Sequence, residues 1–178
     1  MKNERLNAGV GVIRTFSGKY INVFDPDPDD IVLEDIAHSL SMQCRFGGHI
    51  KYHYSVAQHS VMCSTMIGDD PMLQLQGLLH DASEAYILDI PTPIKGAIPK
   101  YKKVEDKLMK VVAKKFGFKY PFSPELKVVD RAALEAEWDH FIKGEVGVIE
   151  RMSPEEAKAQ FIKRFSVIME SVVEGSLT

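Results

Sequence analysis

The sequence predicts an all-α helical bundle with a short N-terminal β-hairpin, and three features carry that reading. From about residue 30 onward apolar side chains recur at helical spacing, and capping residues, prolines and glycines punctuate those runs. Only VGVIRTFSGKYINVF, residues 10 to 24, is β-branched and aromatic on both sides of a turn pair, Ser17-Gly18. After this hairpin, Asp25-Pro26-Asp27-Pro28-Asp29-Asp30 is a run of turn residues ending in an N-cap. Val32, Ile36 and Leu40 then share one face of a helix over about 30 to 42. Arg45-Phe46-Gly47-Gly48-His49 interrupts the pattern, and Ser55 caps a second helix with Val56, His59, Cys63 and Ile67 on one stripe. Asp70-Pro71 opens a third, apolar nearly all round and therefore central, expected to run to about Asp89, where Pro91 and Pro93 prevent continuation. A fourth spans about 100 to 116 and stops at Gly117, with Val104, Leu108 and Val111 inward. Ser123-Pro124 opens a fifth, on which Leu126, Asp130, Ala133 and Glu137 share a face. Ser153-Pro154-Glu155-Glu156 is a capping box for a sixth, whose buried stripe is Ala157, Phe161, Phe165 and Ile168. With no repeat, low-complexity tract or long linker, residues 1-178 are expected to form one domain.

A chain of 178 residues, 45% of them hydrophobic, can bury a core without a disulfide or structural metal, so a metal here would serve chemistry. Lys+Arg 22 against Asp+Glu 25 gives a net charge of -3, which argues against a nucleic-acid partner and leaves a small anionic ligand open. No apolar run reaches membrane-span length, MKNERLNAGV has no signal-peptide core, and Cys44 and Cys63 form no paired-thiol motif. The expectation is a reduced, cytoplasmic protein with no membrane association.

His80 and Asp81 are adjacent in the most apolar segment, and Glu84 follows within one turn on the same face. The dipeptide alone is a weak signal. His59 and Asp130 also occupy inward stripes, on two other helices, so the set becomes two imidazoles and two carboxylates. Any one of them has a satisfied core or capping role as its ordinary explanation. For all four together a shared divalent ion is expected, because buried charges are paired or coordinate metals. Mn, Co, Fe, Ni and Zn all suit such donors, and Mg would suit substrate phosphates.

The order His59, His80-Asp81, Asp130 resembles the H…HD…D signature of the HD-domain metal-dependent phosphohydrolases. The string H-D-A-S-E-A-Y-I-L-D-I-P-T-P-I-K, residues 80 to 95, is similar to the HD-x-x-E-x-x-x-x-D-x-P-x-P-x-K segment of their 5′-deoxynucleotidase branch. C-R-F-G-G-H and S-V-A-Q-H-S resemble small phage and bacterial members that include dATP triphosphohydrolases. The similarity covers roughly residues 12 to 143. It implies an HD-type helical bundle with the divalent ion at His59, His80, Asp81 and Asp130. It also implies that Glu84 orients or deprotonates the attacking water and that Asp89 lies near the sugar or that water. An Arg-aromatic pair, here Arg45-Phe46, precedes the first metal histidine; related deoxynucleotidases carry Trp at the position of Phe46, a departure that bears on sugar discrimination.

The residue chemistry runs parallel. The Arg45 guanidinium suits bidentate phosphate binding, and the two glycines after Phe46 allow close backbone approach. Lys95 and His49 are further substrate-contact candidates, with a solvated surface role as the alternative for each. His53 is open between the two, while His38 and His140 are assigned to structure and the lysines at 100, 102, 103, 107 and 110 to an exposed helix face. The expected activity is a dNTP (dATP-like) triphosphohydrolase, in which a metal-bound water releases deoxynucleoside and triphosphate. Arg45, His49, Lys51 and His53 within nine residues, with Lys95 beyond, motivate the longer phosphate tail. The alternatives are a 5′-deoxynucleotidase acting on dNMPs, hydrolysis of cyclic nucleotides or alarmones, and a non-catalytic nucleotide-binding regulatory module. Retention of Glu84 and Asp89 counts against the last. A homo-oligomer is expected, since compact helical enzymes commonly associate by two-fold symmetry.

Overall fold

In the computed structural model, which describes residues 9–144 and 149–175, strands β1 (Val12–Arg14) and β2 (Tyr20–Asn22) pair antiparallel with Ile13 opposite Ile21. Residues 1–8 of the stretch read for a signal peptide lie outside the described residues. The hairpin turn is anchored from below. The backbone N–H and hydroxyl of Ser17 donate to the two carboxylate oxygens of buried Asp35 at 2.6 and 2.8 Å, fixing the turn to helix α1 (Leu33–Met42). That helix begins three residues later than expected. The Asp27 side chain accepts from Asp29 N–H at 2.8 Å and closes a separate 3₁₀ turn over Pro28–Asp30, which leaves Ile31 extended. The hairpin and helical bundle together confirm the predicted all-α class.

Helix α2 (Val56–Met66) starts with the reciprocal Ser55 and Gln58 capping box. The expected single helix from Pro71 to about Asp89 is instead two, α3 (Pro71–Leu79) and α4 (Glu84–Ile87). Between them the backbone tightens to three-residue hydrogen bonds, Ala82 N–H to Leu79 O at 3.0 Å and Glu84 N–H to Asp81 O at 2.9 Å. The cause is local. His80 Nδ1 bonds the Gly77 carbonyl at 2.8 Å, the acceptor that an unbroken helix would offer to the amide of Asp81. The prolines expected only to stop this helix also start another, α5 (Thr92–Lys95), since proline is tolerated in a first turn. Helix α6 (Pro99–Phe116) ends at Gly117 with φ 77°, and α7 (Pro124–Trp138) runs into one wide turn over Asp139–Lys143. In α8 (Pro154–Gly175) Ser153 and Glu156 form the predicted box, and all five lysines assigned to an exposed face are exposed.

One hydrophobic cluster runs from Ile21 of the hairpin through Ile36, Leu78 and Leu108 to Phe161 and Ile168, with α8 laid across α1, α2 and α3. No helix among the described residues is long and apolar enough to cross a membrane. Where α3 crosses α2, Gly77 allows the contact: a Cβ there would meet Ile67 Cδ1 at 2.6 Å and the Ser64 backbone at 3.1 Å. Gly77→Ala is therefore expected to destabilise by about 1–2 kcal/mol, overpacking outweighing the gain in helix propensity, as measured from the urea midpoint.

Candidate metal centre

Three pieces of chain converge: α2 brings His59, the tight turn after α3 brings His80 and Asp81, and α7 brings Asp130. His59 Nε2 stands 3.1 Å from Asp130 Oδ1 and 3.8 Å from Asp81 Oδ2; His80 Nε2 stands 3.6 and 3.3 Å from the same two atoms. Nitrogen and oxygen ligands at about 2.1 Å from one ion are about 3.0 to 3.4 Å apart, so the four donors already sit near coordination spacing. The ring tautomers agree. His59 Nδ1 is 2.7 Å from Glu137 Oε1, and His80 Nδ1 is 2.8 Å from the Gly77 carbonyl. Each acceptor takes the Nδ1 proton, so Nε2 is the nitrogen turned toward the shared centre, free to hold an ion once its own proton leaves. His80 Nε2 is buried and has no hydrogen-bond partner, which is costly unless a cation meets it. One ligand atom from each of His59, Cys63, His80 and Asp130 lies within 4.8 Å of the others, so the donor set fits a transition ion and includes a thiol.

The local field favours positive charge at this point. Burial and Arg45 disfavour the His59 cation, yet Asp130, Cys63 and Glu137 raise its pKa well above the ordinary value. Burial likewise opposes the His80 cation, but Asp81 and Asp130 push it up to about 10. Asp130 is held far below the usual carboxylate range because His59 and His80 overcome its desolvation.

Asp81 and Asp130 line a cavity of about 650 Å³, the two buried histidines do not, and every other predicted site residue lines it: Arg45, Phe46, His49, Glu84, Asp89 and Lys95. Two of the predicted phosphate contacts are already engaged. Arg45 Nη2 pairs with buried Glu137 at 2.7 Å, while its Nε is buried without a partner. Lys95 Nζ bridges Glu84 Oε1 at 2.7 Å and Glu105 Oε1 at 2.9 Å. Burial, then Asp81 and Asp89, push the Glu84 carboxyl up to about 8 against the pull of Lys95. Its Oε2 has no partner. Asp89 is also raised, chiefly by burial, and its backbone N–H is fixed by Gln43 at 2.9 Å. Phe46 has φ 56° and is followed by Gly47 at 61°, so a left-handed turn carries its ring to 6.2 Å from Trp138. Lys51 and His53, counted as cationic neighbours in the sequence, are not in this lining. His38 stacks on Phe16 and His140 meets Tyr52, as their structural assignment requires.

No family model matches the chain. It is 44% identical over 125 residues to the uncharacterized protein YfdR of Escherichia coli (strain K12), a match covering 70% of this chain and 69% of YfdR. The chain belongs to the YfdR family. A second relative, the uncharacterized protein RCAP_rcc00048 of Rhodobacter capsulatus, is 38% identical over 138 residues, with 70% of each chain covered. In this YfdR-family chain the sequence reading missed Glu137, which joins His59 to Arg45, and Glu105 behind Lys95. Glu137 was visible as an acid on the inward stripe of Asp130, seven residues on, but its partners lie 78 and 92 residues away in sequence. Trp138, half exposed on the cavity wall, gave no sequence signal beyond being a lone tryptophan.

Proposed function

We propose that this YfdR-family chain is a divalent-metal-dependent phosphohydrolase of the HD type acting on deoxynucleotides, with dNTPs as substrates and triphosphate as product. The observation that supports it best is the orphaned His80 Nε2, facing Asp81 and Asp130 on the floor of a cavity whose wall carries Glu84 with one unpartnered oxygen. His59, His80, Asp81 and Asp130 would hold the ion, which when bound polarises a phosphoryl oxygen and acidifies a coordinated water. Glu84 receives the Lys95 hydrogen bond on Oε1, leaving Oε2 to take a proton from the attacking water. A carboxyl poised near working pH is suited to that transfer and to returning the proton to the leaving oxygen. Arg45 and Lys95 supply the cationic groups of the cavity, His49 adds an imidazole, and Phe46 and Trp138 offer aromatic faces for base and sugar.

A dNMP-specific 5′-deoxynucleotidase is the second reading, favoured by the exclusion of Lys51 and His53 from the lining, which leaves fewer cations for a long tail. The test is a metal-supplemented panel of dNMPs and dNTPs with phosphate and triphosphate assayed separately. Triphosphate release from dNTPs is expected. Inorganic phosphate from dNMPs with no triphosphate from dNTPs would select the second reading, and no turnover on either set would reject both.

A further inference from the structure

Glu84 and Asp89 line the same cavity, and the backbone between them takes a conformation that its sequence does not favour. Leu88, just past the end of α4, has φ 72° and ψ 154°, a region that glycine occupies freely and leucine does not. Its own packing does not impose this, since the residue is 63% exposed. Such a backbone persists only where the surrounding structure over-determines it. Side-chain hydrogen bonds do so here, and one residue makes two of them. Gln43 Nε2 donates to the Glu84 carbonyl at 3.0 Å, and Gln43 Oε1 accepts from the Asp89 N–H at 2.9 Å. Between these two clamped groups, Leu88 N–H donates to the same Glu84 carbonyl at 2.8 Å, and the Tyr101 hydroxyl donates to the Leu88 carbonyl.

The carboxamide is used at both ends, which only a side chain carrying a donor and an acceptor together can do. Its place is fixed in turn. Gln43 follows α1, its Nε2 is 3.1 Å from Ser39 Oγ one turn earlier, and its own carbonyl accepts from Val56 N–H at 3.1 Å. Ser39 Oγ adds a 2.8 Å bond to the Ala85 carbonyl. The end of α1 therefore grips the backbone that carries both acids, while Gln43 is not in the cavity lining itself.

We propose that Gln43 is a positioning residue for hydrolysis, holding the Leu88 turn closed and so setting the spacing of Glu84 and Asp89 across the cavity. The proposal rests on the reading of the chain as a phosphohydrolase in which Glu84 moves a proton. Without the amide, Leu88 is expected to relax to negative φ and carry Asp89 away, while Glu84 stays tied to Lys95. His59 and His80 are oriented by Glu137 and Gly77, so the ion should remain bound.

The test uses the full, metal-loaded chain and Gln43→Met, which keeps the length of the side chain and loses both bonds. Its kcat should fall about 10- to 100-fold, the scale of a displacement of about 1 Å at a reacting group, with KM within about twofold and metal stoichiometry unchanged. Amide hydrogen exchange at Asp89 should quicken by about tenfold or more. Adding Leu88→Gly should restore most of the lost kcat, because glycine holds φ 72° unaided, and Leu88→Gly alone should turn over near the wild-type rate. A side chain that served only stability would give no such rescue. Gln43→Glu, of the same shape but with no donor for the Glu84 carbonyl, gives the same readouts should the methionine variant not fold. A wild-type kcat in these variants, or a loss that Leu88→Gly leaves unrepaired, overturns the proposal and keeps the phosphohydrolase reading. No turnover by the metal-loaded wild type rejects that reading and the positioning role together.

Discussion

Glu84→Gln is expected to bind the divalent ion at wild-type stoichiometry and to lose about 10²- to 10⁴-fold in kcat, the usual contribution of a positioned general base. The amide keeps the volume of the side chain and a carbonyl oxygen for Lys95, whose Nζ is 2.7 Å from Oε1, so the fold around the cavity is retained. What disappears is the proton-accepting capacity of Oε2, the oxygen without a partner. Metal content by elemental analysis, measured beside kcat, separates the two functions. A kcat near wild type with a full metal complement would return Glu84 to the role of a structural partner for Lys95.

Glu137→Gln is expected to weaken metal affinity about 10- to 100-fold, the usual effect of removing a carboxylate that orients a ligating histidine. It should also destabilise the metal-free protein by about 3–5 kcal/mol, because Arg45 keeps its charge in a buried place with its partner neutralised. Both effects follow from one geometry: Oε1 is 2.7 Å from His59 Nδ1, Oε2 is 2.7 Å from Arg45 Nη2, and the side chain is fully buried. His59 and Arg45 together hold the Glu137 carboxyl below its usual pKa against the desolvation that would raise it. Urea unfolding of the apo protein and a chelator competition titration measure the two terms separately. Unchanged values in both would mean that the carboxylate neither orients the imidazole nor balances the guanidinium.

Capping chemistry made the starts of α2, α3, α7 and α8 legible, through Ser55, Asp70, Ser123 and the box of Ser153 with Glu156. The clustering of His59, His80, Asp81 and Asp130 was legible for a related reason: each is an ionisable residue on an otherwise apolar stripe, which local periodicity exposes. What was illegible depended on partners distant in sequence or on competition for a single atom. The break at His80 follows from its ring taking the Gly77 carbonyl, and nothing in the apolar run from Leu73 to Leu79 announces it. Arg45 read as free for phosphate because Glu137 lies 92 residues away. The Lys95 bridge to Glu84 and Glu105 depends on α5 folding back beside α6, and α5 itself was hidden by prolines that read only as stops.

Among the residues of α7, only Leu126, Ala133 and Glu137 are buried, and the last of these is an acid. Two apolar anchors are a thin attachment for a helix of 15 residues, which otherwise joins the body through Asp130 to the two histidines and Glu137 to His59 and Arg45. The element that delivers Asp130 is thus itself docked by the polar centre it completes. In terms of local opening, closure of α7 and assembly of the centre are one event, and the segment belongs among those whose protection from solvent follows the site and not the hydrophobic core. An ion bound there would act as a rivet between the first and second halves of the chain, so metal supply would govern how long this wall of the cavity stays shut.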